Sequence, residues 1–293
     1  IDEGWSETWY YDLDGDGFGD LNNSFYGCPE PANTVMNNTD CDDSNSSVYP
    51  GAEEIYDDID NDCDGIIDNG PGTVTDQDGN SYDYISYGDQ RWTVVNAGVV
   101  TYRDGTVIPQ VTNNTEWSNL TTGAWAYFNN DSTKPRLYNW YAVMGIHDAA
   151  SLSDQTLRKE FAPEGWHVPS DAEWTTLVNY LIANGYNYDG ATTGNKIGKS
   201  IASQGGWQTV GNIGSPGNDQ SLNNSSGFNA FAEGVRFSSG GYYLLSTDAR
   251  FWSSTESSAV NAWSPGLYTG GQGLISEESF PKRSGVSVRI VRD

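Results

Sequence analysis

Two short stretches constrain this chain more than any others. Asp12-x-Asp14-x-Asp16-Gly17-x-x-Asp20 recurs 48 residues later as Asp60-x-Asp62-x-Asp64-Gly65-x-x-Asp68. Carboxylates at this spacing repel one another, and residues 1–70 contain no Lys or Arg to offset them. A fold that gathers them needs a cation from outside. In a loop of this pattern, positions 1, 3 and 5 offer side-chain oxygens and the glycine allows the sharp turn. Position 7 offers a backbone carbonyl, and position 9 ligates directly or through water. The candidate ligands are therefore Asp12, Asp14, Asp16, the Phe18 carbonyl and Asp20, then Asp60, Asp62, Asp64, the Ile66 carbonyl and Asp68. A helix–loop–helix calcium site carries Glu at position 12. Here Asn23 and Pro71 stand there, so further ligands must come from elsewhere. Asp40, Asp42, Asp43, Glu54 and Asp58 are assigned that role, from a pool that also holds Glu53 and Asp57. All are hard oxygen donors, which favours several Ca2+ ions over zinc or copper, and Mg2+ tolerates such geometry poorly.

Charge sharpens the argument. The 293 residues hold 40 Asp+Glu against 14 Lys+Arg, a formal charge of −26, and 19 of the acids lie in residues 1–70. This excess argues against nucleic acid or an anionic membrane surface as partner. No apolar run approaches the roughly 18 residues of a membrane span, so membrane insertion is not expected. An acidic segment this short cannot build much apolar core, and bound ions are expected to substitute for it. A content of 13% aromatic residues with 11 Trp argues for a folded chain rather than a disordered one. All three cysteines, Cys28, Cys41 and Cys63, fall in the acidic segment; one disulfide and one leftover thiol are allowed, and spacing does not choose the pair. Few lysines and much Tyr, Trp, Asn and Gly give the composition an extracellular character.

"DNGPGTV", residues 68–74, reads as a linker, placing an Asp-rich calcium-binding domain at 1–70 and a second domain at 74–293. The second domain opens with strand-like alternation around Asp78-Gly79, a tight-turn pair that also makes Asp76 and Asp78 turn residues rather than ligands. One helix stands out in "VPSDAEWTTLVNYLIANG". Ser170 caps it, Glu173 completes a capping box, Trp174, Leu177, Val178, Leu181 and Ile182 share a face, and Gly185 ends it. The remainder is Gly/Asn/Ser-rich and closes on the alternating strand "SGVSVRIVRD". The expected fold class is α+β, with few helices on a small, looped antiparallel sheet.

"WYYDLDGDGFGD" and "NNTDCDDSNSSVYPGAEEIYDDIDNDCDGIID" resemble the MopE-type metal-binding repeat, itself similar to thrombospondin type 3 calcium repeats. That family's name is linked to copper, which this all-oxygen loop does not suit. Members often carry a fourth cysteine where Tyr56 stands here. Residues 74–293 resemble the Fibrobacter succinogenes major paralogous (FISUMP) domain through "VTDQDGNSYDYISYGDQRWTVVN", "LYNWYAV", "PEGWHVPSDAEWTTL", "FWSSTE" and "SGVSVRIVRD", in that order. This resemblance implies a C-type-lectin-like fold and a secreted or lipoprotein-like surface module of Bacteroidota and relatives. "GWHVPSDAEW" is also similar to a stretch of the formylglycine-generating enzymes, which share that fold. Those enzymes need an active-site cysteine pair, and residues 71–293 contain no cysteine.

Catalysis is therefore not expected, and His147 and His167 are read as structural. The calcium-dependent sugar motifs of C-type lectins are also missing. Exposed chemistry is sought instead in the polar loop 205–227, where Trp207 could stack on a sugar, and then in Tyr242, Tyr243 and Tyr268. Asp131-Ser132-Thr133 resembles an O-glycosylation signal of Bacteroidota, making Ser132 a candidate acceptor. The expected function is a non-catalytic surface protein, a calcium-stabilised connector carrying an adhesion module for glycan or surface protein. The alternative is a fibre or coat subunit assembled by head-to-tail self-association.

Overall fold

The computed structural model describes residues 7–52, 59–65, 72–276 and 278–293. The expected ligands Glu54, Asp58, Ile66 and Asp68 lie outside them. The chain divides into two compact units, Ile1–Gly72 and Thr73–Asp293.

In the first unit, aromatic-rich β1 (Glu7–Tyr11) is the centre of a three-stranded antiparallel sheet, flanked by β2 (Ser24–Gly27) and β3 (Thr34–Val35). Among the described residues of this unit, Val48 is the sole buried hydrophobic side chain; Gly19, Thr34, Asp40 and Asn61 are the other buried residues. A sheet this small with so little apolar burial is marginal by itself. The added restraints are a Phe18–Tyr49 ring stack at 5.5 Å and a Cys41–Cys63 disulfide, which leaves Cys28 exposed with a free thiol.

The second unit is β-rich. It starts with β4 (Gly72–Thr75), whose first residue is the last of the first unit, followed by β5 (Ser81–Tyr87) and β6 (Gln90–Thr93). After helix α1 (Asn114–Ser118) come the pair β7 (Trp125–Tyr127) and β8 (Arg136–Tyr138), then helices α2 (Trp140–Val143), α3 (Ala149–Ser153), α4 (Asp171–Ala183) and α5 (Gly198–Ile201). β9 (Glu233–Arg236) pairs with β10 (Tyr242–Leu245). β11 (Asp248–Arg250), β12 (Asn261–Trp263), β13 (Gly266–Tyr268) and β14 (Ser279–Pro281) pair crosswise, β11 with β13 and β12 with β14. β15 (Val291–Arg292) returns to β6, so one sheet of order β15-β6-β5-β4 joins both ends of the unit. None of the described helices is long and apolar enough to cross a membrane.

The main core lies where α4 packs on this sheet. Ser170 and Glu173 form the expected capping box, and the helix buries Trp174, Leu177, Val178 and Leu181. The Trp174 ring lies 4.6 Å from Trp92 and 5.4 Å from Phe251. Burying such side chains contributes about 1.5–3 kcal/mol each.

Two expectations need correction. "SGVSVRIVRD" is not one alternating strand: residues 284–291 are all buried. Its partners change along the way, with Gly285 bridging Arg236, Val286 bridging Tyr138 and Ser287 bridging Phe251 before the β15 ladder begins. Trp207 is not an exposed stacking platform. It is 5% exposed, belongs to the α4 core, and donates through Nε1 to Ser203 Oγ at 3.2 Å. The Gly/Asn-rich loop folds inward because its polar groups serve one another. Gln220 bonds both backbone groups of Trp207, and Asn223 Nδ2 donates to the Ser203 and Pro216 carbonyls.

Candidate metal centre

Each acidic loop is first shaped by its own backbone. Asp12 accepts from Gly15 N–H at 2.8 Å and Gly17 N–H at 3.2 Å; Asp60 accepts from Gly65 N–H, the counterpart of Gly17, at 2.8 Å and from Asp64 N–H at 3.1 Å. Both loops turn through left-handed residues at positions 4 and 6: Gly15 and Gly17 in one, Cys63 and Gly65 in the other. Asn37 clamps the first loop, donating to Gly17 O and accepting from Gly19 N–H. Gly19 is needed there, since a Cβ would lie 2.7 Å from Tyr10 Cβ.

These folds bring Asp12, Asp14 and Asp16 together, and separately Asp60, Asp62 and Asp64, with one ligand atom from each within 4.8 Å of the others. A third group, Asp14, Asp40 and Asp43, shares Asp14 with the first. Asp40 is delivered by a parallel bridge to Asp20, and Asp43 by accepting from Leu13 N–H at 2.7 Å. Five carboxylates thus converge around Asp14. Asp20 and Asp42 join neither cluster. Asp20 turns back onto Asn22, and Asp42 accepts from Ser44 Oγ at 2.6 Å. Phe18 contributes its N–H to Asp16.

The Oδ2 atoms of Asp14, Asp16, Asp40 and Asp43 are buried without a hydrogen-bond partner. Orphaned buried acceptors are rare and costly, and four in one place define a pocket for a positive charge. Burial, and then the neighbouring carboxylates, push the Asp16 and Asp40 carboxyls above their ordinary range; Asp62 is shifted the same way. A bound cation would reverse that shift. The residues therefore fit hard metal ions: Asp12, Asp14, Asp16, Asp40 and Asp43 would serve one centre, and Asp60, Asp62 and Asp64 another.

Asp76 and Asp78 provide the contrast. Asp76 accepts from Asp78 N–H, Asn80 N–H, Asn80 Nδ2 and Tyr82 Oη, while Asp78 accepts from Val100 N–H, Thr101 N–H and Thr101 Oγ1. That acidic turn is satisfied by protein alone. His167, Glu173 and Asp293 also converge, but His167 Nε2 is held by Glu173, which raises the imidazole pKa.

Of the aromatic candidates in the second unit, Tyr242 donates to Asn130 Oδ1 and packs on Phe128, and Tyr268 Oη is engaged by Glu278 and Arg250. Tyr243 is 53% exposed. Ser132 is exposed beside Asp131, whose carboxylate accepts from Thr133.

An acidic unit whose clustered carboxylates fit a metal ion, followed by a β-rich domain, is the class that this geometry defines. The chain belongs to the Fibrobacter succinogenes major domain family, whose model matches residues 85–292. A metal-binding motif of the MopE type, whose model is named for copper, matches residues 40–69. No curated protein and no solved structure matches the chain.

Proposed function

We propose that the protein is a non-catalytic extracellular or cell-surface protein, in which Ca2+ stabilises the acidic unit and the second unit is a lectin-like adhesion module for glycan or surface protein. The observation that carries the calcium reading is the set of four buried, unpartnered carboxylate oxygens in a unit whose described residues bury one hydrophobic side chain. Ions there replace the missing core and cancel the repulsion. Among the described residues of the acidic unit, the clustered donors are all carboxylate oxygens, so calcium fits and copper does not.

Several features support a binding rather than a catalytic role for the second unit. It has no cysteine, its two histidines are engaged with Gly145 O and Glu173, and its turn carboxylates at Asp76 and Asp78 are saturated. The sheet joining both ends of the unit, with few helices, is compatible with the C-type-lectin-like fold that the sequence resemblance implies.

The test is chelation of the full chain, followed by calorimetric titration with Ca2+, Mg2+ and Cu2+. Calcium alone should restore the near-UV signal and protease resistance of the acidic unit, while the second unit persists throughout. An acidic unit indifferent to chelation, or one restored by Cu2+ and not Ca2+, would overturn the calcium reading.

A further inference from the structure

A cavity of about 390 Å3 in the second unit lies between the segment after β6, the β7–β8 connection and the start of β9. Its lining includes Asn96, Tyr127, Lys134, Arg136, Phe231 and Glu233. The volume is in the lower part of the range usual for small-molecule sites. The lining carries two cations, Lys134 and Arg136, against one carboxylate, Glu233, in a chain of −26. Neither Lys134 nor Arg136 forms an ion pair among the described residues. The acidic neighbour of Lys134 is Asp131, already turned onto Thr133.

Arg136 is pre-positioned. Its guanidinium lies 5.2 Å from the Trp125 ring centroid and 5.5 Å from that of Tyr127, and Nη1 donates to Gly98 O. Its Nε is buried with no partner. Glu233, also in the lining, uses Oε2 to accept from Asn96 Nδ2 and Ser287 Oγ, and Oε1 receives no hydrogen bond from the described residues. Phe231, 37% exposed, adds an apolar wall. Cations without carboxylate partners suit an anionic group. An amide, a spare carboxylate oxygen and an aromatic face suit hydroxyls and the C–H face of a sugar ring. A phosphate-rich polymer fits poorly, because charge along its whole length would also meet Glu233, whereas a single carboxylate can be confined to Lys134 and Arg136.

We infer that this cavity binds the carboxylated end of an acidic saccharide, with Lys134 and Arg136 taking the carboxylate, Asn96 and Glu233 the ring hydroxyls, and Phe231 the apolar face. The assignment rests on the reading of the second unit as a binding module. It names the site and ligand class of that module.

The test uses the full chain in saturating calcium. The methyl glycosides of glucuronic acid, galacturonic acid and N-acetylneuraminic acid are titrated calorimetrically beside neutral methyl glucoside. At least one acidic probe should bind, and Lys134→Met and Phe231→Ala should each weaken it tenfold or more. Lys134 is exposed, so Lys134→Met should leave the melting temperature of the second unit unchanged while reducing the preference for acidic over neutral probe. Phe231 is 37% exposed, so Phe231→Ala should lower that temperature modestly. Acidic-probe binding that survives both substitutions overturns the cavity assignment and leaves the binding-module reading standing. Binding of none of the probes also overturns the assignment. An immobilised glycan library and a surface-protein pull-down that both fail to capture the wild type would overturn the module reading as well.

Discussion

Cys63 stands in the second acidic loop where Gly15 stands in the first, and both backbones are left-handed, with φ of +56° and +85°. Glycine adopts that conformation freely, whereas for other residues it costs roughly 1–2 kcal/mol. The bond from Cys63 to Cys41 holds it there. Because Cys41 follows Asp40 and Cys63 lies between Asp62 and Asp64, the same bond ties the two carboxylate clusters together.

Replacing both cysteines with serine should therefore do more than remove a crosslink. Closing a loop of this length is worth about 3 kcal/mol, and that loss should appear in the melting transition of the acidic unit with calcium bound. Calcium affinity should fall too. A second variant, Cys41→Ser with Cys63→Gly, should recover part of that affinity, measured by calorimetry, since glycine restores the turn without the bond.

Asp14 is shared by two carboxylate groups, whereas Asp42 joins none. Asp14→Ala should weaken calcium binding at least as much as loss of an outer-shell partner does at other metal sites, on the order of 10- to 100-fold. Asp42→Ala should change it little. Equal effects of the two substitutions in a calcium titration would contradict the geometry.

Asp78 resembles a metal ligand in sequence yet is committed to Val100 and Thr101. Asp78→Ala should leave the number of bound calcium ions unchanged, as determined by elemental analysis. It should destabilise the second unit by about 1 kcal/mol, since the half-buried donors of Val100 and Thr101 lose their acceptor.

Trp207 packs in the same core as Trp174 and Leu181. Trp207→Ala should cost about 3–5 kcal/mol in denaturant unfolding of the second unit. An unchanged transition midpoint would mean that the side chain is not held as described.

The His167–Glu173 pair should add a small pH-dependent contribution to the stability of the second unit. The bond to Glu173 raises the His167 pKa above 6.5, so its stabilisation is full below that pH and is lost as pH rises through the raised value. The Glu173 pKa is lowered from 4.5: although burial opposes this, the bonds from His167 and Ser170 outweigh it. Its contribution is full above pH 4.5 and is lost as pH falls through the lowered value. Both are complete between about pH 4.5 and 6.5. Thermal melts across pH should show this shoulder, and His167→Gln should remove its alkaline edge.

Local chemistry in the sequence was enough to locate the acidic loops, the division of the chain and helix α4. A D-x-D-x-D-G turn is made by residues a few positions apart, and a capping box with one apolar face needs no distant partner. The relation of Asp14 to Asp40 and Asp43, and the choice of Cys41 and Cys63 from three cysteines, depend on a bridge between residues 20 and 40 that no local pattern encodes. Trp207 shows the same limit from the other side. Its polar neighbours gave its loop the look of a solvated surface, but their hydrogen bonds run inward to Ser203, Pro216 and Trp207 itself. A polar side chain satisfied by solvent and one satisfied by buried backbone are identical in sequence. Only the tertiary structure, by supplying or withholding the partner, decides between them.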